Sequence, residues 1–269
     1  MATNDLWLVP FSRAPEPKDM FWSASYQEAF ARLELIVEHR YLGLLTGEIG
    51  SGKSTLIRKL ISVVDPLKYQ PICLTIDKLT PRDFYTELLF SGGEKPPYSV
   101  TKAKRLLKEL LVERSRQNDR AFIVIIDEAQ DLSDSMLTEL RFAVNHDIDS
   151  CSLFPLILVG QPELRRTLML NHYAALAQRI QLSYHLTGLT KEQSFQYIRH
   201  RMQVAQISTP VFSESALTML HTATQGIPRM LNQFARLALC DAVSKNLQVI
   251  DDIVVGRVLT DSGHQRKPA

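Results

Sequence analysis

The residue types with the clearest chemistry form a glycine-rich run near the start of the chain. The run fits the pattern Gly, four residues, Gly, Lys, then Ser or Thr, and consists of Gly47, Glu48, Ile49, Gly50, Ser51, Gly52, Lys53 and Ser54. Amides of such a loop, at the start of a helix, bind phosphate oxygens. We predict that this run and Thr55 bind ATP, with Lys53 on the β- and γ-phosphates and the Ser54 hydroxyl on Mg²⁺. The alternative is a glycine turn with a helix cap.

An acidic pair follows an apolar run later in the chain. Residues 122–126 read Phe-Ile-Val-Ile-Ile and lead directly into Asp127 and Glu128. This composition is typical of a buried strand in a parallel sheet, which would end beside the phosphate loop. There Asp127 could bind the Mg²⁺ shell and Glu128 could polarise a water, whereas a solvated turn or helix cap is the alternative. Together the two motifs predict hydrolysis of ATP with Mg²⁺.

The elements that must hold these motifs alternate between strand and helix as far as about residue 188. We predict strands over 41–45, 71–76, 122–126 and 153–159, and helices over 26–39, 54–64, 81–90, 100–118 and 133–145. Such alternation predicts an α/β fold, an open parallel sheet with helices on both faces. Beyond it the pattern becomes helix after helix, over 190–205, 213–225, 228–245 and, more weakly, 251–260.

This change of pattern sets the predicted domain boundaries. They are an N-terminal arm at 1–20, an α/β nucleotide-binding domain at 21–188, a small all-α lid domain at 189–262 and a tail at 263–269. The arm contains three prolines and is predicted to be extended. Phe11 in the arm, and Phe21 and Trp22 directly after it, either cover the adenine base or pack into a core.

Composition excludes several classes of protein. The 269 residues are 45% hydrophobic and 22% charged, with a formal net charge of +2, so any basic binding surface must be local. Cys73, Cys151 and Cys240 have no metal-ligand spacing and favour a reducing compartment, and Cys73 is predicted to be buried in its apolar run. We find neither a signal peptide nor an apolar run of roughly 18 residues. The prediction is a cytoplasmic protein without a membrane partner.

Two further runs carry a resemblance to a known family. Residues 127–132 read Asp-Glu-Ala-Gln-Asp-Leu and residues 159–164 read Val-Gly-Gln-Pro-Glu-Leu. With the phosphate loop, they make the chain resemble the AAA+ superfamily, and within it the ExeA-like group, from residue 11 to about residue 258. A third run, Gly-Ile-Pro-Arg at 226–229, is similar to the second sensor of AAA+ proteins.

The resemblance implies roles for particular residues. It implies that Gln161 senses the γ-phosphate, although many AAA+ proteins carry Asn or Thr there, and that Arg229 contacts the same phosphate. It also implies an arginine finger, in the helix after the fourth strand, that completes a neighbouring subunit's site. Arg179 occupies the matching place, with Arg165 and Arg166 as alternatives.

The resemblance also implies partners. The ExeA-like group has long secretion proteins with a membrane span and a cell-wall module, and short proteins resembling the transposition helpers TnsC, MuB and IstB. Since neither extra module is found, we expect the second branch. Such a protein would form a homo-oligomer, a ring or filament, on duplex DNA when ATP is bound, present that DNA to a transposase, and disassemble on hydrolysis. The alternatives are a secretion or envelope-assembly ATPase, a signalling switch, and a small-molecule kinase.

A local basic stretch supports the DNA hypothesis. Residues 95–120 contain eight Lys or Arg against three Asp or Glu, and Lys78 and Arg82 precede them. The candidate DNA contacts are Lys78, Arg82, Lys102, Lys104 and Arg105. Such contacts would be to phosphates, giving salt-dependent binding with little sequence readout. The alternative is a solvated helix face with i,i+4 ion pairs, such as Arg105 with Glu109.

Overall fold

The computed structural model describes residues 10–11, 17–75, 78–143, 152–207 and 209–265. Its strands are β1 (Leu42–Gly47), β2 (Tyr69–Leu74), β3 (Ala121–Ile126), β4 (Leu156–Gly160) and β5 (Ile180–Leu186). Its α-helices are α1 (Ala24–Glu38), α2 (Lys53–Val63), α3 (Pro81–Ser91), α4 (Val100–Arg116), α5 (Asp134–Ala143), α6 (Pro162–Leu168), α7 (Ala174–Ala177), α8 (Lys191–Val204), α9 (Glu214–Thr224), α10 (Pro228–Ser244) and α11 (Asp252–Gln265).

The five strands form one parallel sheet in the order β2-β3-β4-β1-β5. Every residue of β1 and β4 is buried, as is β3 from Phe122 to Ile126. Since successive side chains point to opposite faces, both faces of these strands are covered. The predicted α/β fold with a parallel sheet is confirmed. The carboxyl ends of β3, β4 and β1 therefore lie side by side at one edge.

The sheet differs from the predicted one at its two outer strands. No strand was predicted over β5, whose sequence Ile-Gln-Leu-Ser-Tyr-His-Leu alternates in the way expected of a partly exposed edge strand. On the other edge, β2 ends at Leu74, and the predicted end at residue 76 lies outside the described residues. The prediction that Cys73 is buried is wrong: Cys73 is exposed, because it lies on the opposite face of β2 from the buried Ile72 and Leu74.

The described residues fall into two compact units. One comprises Tyr26–Gly47 and Leu56–Leu186 and contains the whole sheet. The other comprises Thr187–Ala269, Glu48–Thr55 and the described part of Met1–Ser25. This division differs from the predicted domain boundaries because the glycine loop groups with the helical unit. No helix of the described residues is long and apolar enough to cross a membrane.

The helical unit has its own core, formed by α8 to α11. Capping sets two helix starts: Thr190 and Gln193 form a reciprocal capping box at α8, and the Ser213 side chain accepts from the Ala216 amide at α9. Part of the N-terminal arm packs here. Phe11 is 3% exposed within this core, and the Arg201 Nε donates to the Pro10 carbonyl at 2.7 Å.

Phe21 packs in the same unit, edge-on to the Tyr197 ring at a centroid separation of 5.6 Å. Phe11 and Phe21 therefore pack in a core, which is one of the two alternatives that the sequence left open for them.

Candidate nucleotide-binding site

The glycine loop forms a tight turn directly before a helix. Gly50 and Gly52 adopt φ angles of +86° and +107°, which side-chain-bearing residues rarely adopt. Within the loop, the Ser51 amide donates to the Glu48 carbonyl at 3.0 Å. The helix α2 then begins at Lys53, and the start of a helix, where the main-chain amides point outwards, is a favourable place for an anion.

Two side chains at the start of α2 add to this anion site. Lys53 is only 8% exposed, and its Nζ donates to the Glu48 carbonyl at 3.2 Å, across the loop. The next residue, Ser54, is exposed. A cation held over the loop and an accessible hydroxyl beside it are the groups that bind nucleotide phosphates and Mg²⁺ in phosphate loops.

The helical unit brings Arg229 to the same loop. Gly226 has a φ of +70°, and Pro228 stands in the first turn of α10, where its missing amide costs nothing. The Arg229 amide donates to the Gly50 carbonyl at 3.2 Å. A Cβ on Gly50 would lie 2.5 Å from the Arg229 Cβ, so only glycine fits. The exposed Arg229 side chain thus extends from a backbone in contact with the loop.

The acidic pair lies at the carboxyl end of β3. The Glu128 amide donates to Asp127 Oδ1 at 2.9 Å. Glu128 itself has φ 50° and ψ 40°, a left-handed conformation that costs a residue with a side chain about 1–2 kcal/mol. Such strain is concentrated at functional sites. The turn directs the Glu128 carboxylate towards the neighbouring end of β4.

Gln161 lies at that end of β4, as the cap residue of α6. Its side-chain Nε2 is 3.4 Å from Glu128 Oε2. The sheet therefore brings the residue with the predicted sensor role next to the residue predicted to polarise water.

Gln130 was not singled out from the sequence, although it stands in the run 127–132. Its Nε2 donates to Glu128 Oε2 at 2.9 Å, while its Oε1 accepts from the Gln161 amide at 3.0 Å. One amide side chain thus joins the ends of β3 and β4. The only sequence signal for Gln130 was that it is a polar residue in the same run as the Asp-Glu pair.

The arginine-finger candidates are found outside long helices. Arg179 lies in the turn between α7 and β5, not in a helix as predicted, since α7 is a single turn. Its Nη1 donates to the Ala175 carbonyl at 2.8 Å. Arg165 and Arg166 are both exposed on α6, and Arg166 pairs with Glu163 at 3.6 Å.

The basic stretch divides into paired and exposed cations. Lys104 donates to Glu139 at 2.7 Å and lies 4.8 Å from the Phe142 ring centroid. Its predicted DNA contact competes with this pairing. Arg105 is 3.5 Å from Glu109, the i,i+4 pair that the alternative interpretation expected, although both side chains are largely exposed.

Arg114 is the most enclosed cation of the stretch. Its side chain is 12% exposed, bonds to Gln70 and the Arg120 carbonyl at 3.0 Å each, and stacks 4.6 Å from the Phe122 ring centroid. It ties α4 to the sheet. By contrast Lys78, Arg82 and Lys102 are exposed, and the Arg82 guanidinium lies 4.3 Å from the centroid of the exposed Tyr98 ring.

Comparison with known families defines the class. Residues 36–168 match a family model described as an AAA domain. This span contains the glycine loop, the acidic pair and Gln161, and four of the five strands of the parallel sheet. The fold and the match together show an AAA domain of the P-loop type over these residues, and confirm the resemblance to AAA+ proteins at that level.

Particular relatives extend the comparison. General secretion pathway protein A of Aeromonas hydrophila is 34% identical over 240 residues, 88% of this chain and 43% of the relative. The crystal structure of Cdc6p from Pyrobaculum aerophilum covers 90% of this chain and 67% of its own, with a TM-score of 0.62 and 18% identity. Drosophila ORC bound to DNA covers 96% of this chain and 65% of its own, with a TM-score of 0.62 and 15% identity.

At these identities the solved structures show the fold alone. The chain spans 43% to 62% of the length of the curated relatives that it matches. These relatives do not test the resemblance to TnsC, MuB and IstB, which stays a prediction from the sequence.

Proposed function

We propose that this chain is an ATP-driven assembly switch that forms an oligomer on duplex DNA when ATP is bound and leaves it on hydrolysis. One observation carries the switch: the Arg229 amide bonds directly to Gly50 of the glycine loop. A nucleotide in that loop would meet the Arg229 side chain, so that the helical unit responds to the γ-phosphate.

The residues present suit ATP and Mg²⁺. Mg²⁺ prefers hard oxygen ligands, and the exposed Ser54 hydroxyl and the Asp127 carboxylate are of that kind. Bound Mg²⁺ would neutralise charge on the β- and γ-phosphates. Lys53 would hold the same phosphates. Glu128 would take a proton from the attacking water, and the Gln161 side chain would contact the γ-phosphate.

A neighbouring subunit would complete the site. A phosphoryl transition state is stabilised by an additional cation, commonly an arginine supplied from outside the subunit. Arg179 is our candidate, because its turn leads directly into the edge strand β5 and its side chain is only partly buried. Arg165, exposed on α6, is the alternative.

DNA binding is supported by the exposed cations of the basic stretch. Lys78, Arg82, Lys102 and Arg105 are exposed, and contacts of Lys and Arg with phosphates position a protein on duplex DNA without reading its sequence. The DNA-bound ORC structure shares the fold of this chain. We further propose that the bound DNA is presented to a transposase, which rests on the sequence resemblance alone.

Electron microscopy of the Glu128→Gln variant with ATP and a DNA duplex tests the proposal. The substitution removes the base but keeps the loop, so ATP-bound assemblies on DNA should accumulate, whereas Lys53→Ala should form none. The wild-type protein with ADP is the control. Particles that stay monomeric and free of DNA with ATP would refute DNA-dependent assembly.

A second candidate function is an ATPase for secretion or envelope assembly that does not bind DNA. The 34% identity with general secretion pathway protein A favours it. The same experiment separates the two functions. An ATP-dependent oligomer of Glu128→Gln that forms equally well without DNA, and does not retain a labelled duplex, would favour the secretion function.

A further inference from the structure

The ends of β3 and β4 are joined by a side chain that the nucleotide chemistry above does not use. Gln130 lies in a single 3-10 turn, Ala129–Asp131, directly after Glu128. The Asp131 amide donates to the Glu128 carbonyl at 3.0 Å and closes this turn. The Gln130 amide group is thereby held between the two strand ends.

Each end of this amide has a different partner. The acceptor, Oε1, takes the main-chain amide of Gln161 at 3.0 Å, and the donor, Nε2, reaches Glu128 Oε2 at 2.9 Å and Asp131 Oδ2 at 3.1 Å. Neither a carboxylate nor an apolar side chain of the same length can satisfy both. The geometry therefore requires an amide at this position.

The backbone of β4 is adapted to Gln130. A Cβ on Gly160 would lie 3.0 Å from Gln130 Oε1 and 2.9 Å from Leu164 Cδ2. Either side chain would have to shift to make room for this Cβ, so the glycine leaves the space in which the Gln130 amide crosses the end of β4.

The consequence for Glu128 is that its two oxygens differ. Within the described residues, the hydrogen bonds to its carboxylate all reach Oε2, from Gln130 and, more weakly at 3.4 Å, from Gln161. Oε1 accepts none of them. A carboxylate anchored by one oxygen presents the other in a defined direction, which is what a general base needs.

We propose that Gln130 is a positioning residue for ATP hydrolysis, which fixes Glu128 relative to the end of β4 and so couples the position of Gln161 to activation of the attacking water. The inference rests on the proposed ATPase function and adds its regulation: a shift of the β4 end moves the Gln130 amide and, with it, the base.

Two substitutions of similar size test the proposal. Gln130→Glu keeps an acceptor for the Gln161 amide but removes the donor to Glu128, and Gln130→Met removes both. We expect kcat for ATP hydrolysis to fall about tenfold or more in each, with KM for ATP changed by less than about twofold, because a base displaced by about 1 Å loses such factors without loss of binding. Gln203→Glu, at an exposed position of α8, is the matched control.

A pH profile separates positioning from general damage. In Gln130→Glu the new carboxyl faces Glu128 and Asp131, and like charges favour uptake of a proton. The protonated group again supplies a donor, so the ratio of its kcat to that of the wild type should rise as the pH falls from about 8 to about 6. Gln130→Met has no such group and should show no recovery.

The outcomes are distinct. Wild-type kcat in both variants, faster turnover, or a KM that rises in step with the loss of kcat would overturn the role of Gln130 while leaving the ATPase intact. If Gln130→Glu unfolds at a lower temperature than the wild type, the kcat and KM of Gln130→Met alone test the proposal. A wild-type protein that hydrolyses no ATP would instead refute the proposed function, and the positioning role with it.

Discussion

The glycine loop is rich in glycine and the basic stretch is rich in Lys and Arg. The sequence predicts the structure of the loop more reliably than the surroundings of the cations. In the loop, spacing alone predicted a glycine-rich turn that opens a helix, and the structure has Gly50 and Gly52 at positive φ directly before α2, which begins at Lys53. In the stretch, similar cations have different surroundings. Lys104 and Arg114 are paired and partly or largely enclosed, whereas Lys102 is exposed.

The difference has a physical origin. A phosphate loop is encoded by backbone conformation, which depends on neighbouring residues, so a motif reports it directly. A cation has a long, flexible side chain that bonds to whatever carboxylate or ring tertiary structure places nearby. A count of charged residues along the sequence therefore overestimates how many cations are available on a binding surface. The following predictions test this contrast.

Lys53→Ala should have the largest effect. Each hydrogen bond of an ammonium to a charged group contributes about 1.5–3 kcal/mol, and Lys53 is expected to meet two phosphates, so ATP affinity should fall about a hundredfold or more. Isothermal titration with ATP measures it. Arg58→Ala, exposed one turn along α2, should bind like the wild type. Equal loss in both would mean that general charge, not the loop, holds the nucleotide.

Arg114→Ala should destabilise the protein by about 2 kcal/mol, since it removes several hydrogen bonds and a ring contact of an enclosed side chain. The midpoint of urea unfolding gives this value. Arg116→Ala, at an exposed position two residues on, should stay within about 0.5 kcal/mol of the wild type. If Arg114→Ala instead weakens DNA binding at unchanged stability, the division of the stretch is wrong.

Gly50→Ala should reduce ATP affinity about tenfold, because positive φ costs about 1–2 kcal/mol and the new Cβ meets the Arg229 Cβ. Gly93→Ala is the control: its φ is +84°, but nothing lies within 4 Å of the added Cβ. Stability should fall in both variants and ATP affinity only in the first. Titration with ATP at equal folded fraction measures this difference.

Lys102→Ala and Lys104→Ala should show the smallest and most selective effects. Lys104→Ala should lose up to about 1 kcal/mol of stability, through Glu139 and Phe142, and little DNA affinity. Lys102→Ala should keep stability and reduce the salt slope of DNA binding by about 1. Salt titration of duplex binding by fluorescence anisotropy distinguishes them, and equal slopes would remove Lys102 from the DNA surface.

The elements of the fold were predictable where burial is complete. The runs of β3 and β4 are apolar throughout and that of β1 is apolar up to Thr46, because both faces of these strands are covered. Their length of five or six residues favours strands over helices. The edge strand β5 was missed because its alternating residues give a weaker signal. Cys73 was placed inside for a related reason: an apolar run does not tell whether one face of the strand is exposed.

The sequence by itself determined that a glycine turn precedes α2 and that two carboxylates follow β3, because tight glycine turns and strand ends follow from local spacing. Only the tertiary structure decided that the Arg229 backbone bonds to Gly50, that Gln130 joins Glu128 to the end of β4, and that Arg114 packs on Phe122. Each of these contacts joins residues from different elements, and their meeting depends on strand order and packing, which spacing along the chain does not encode.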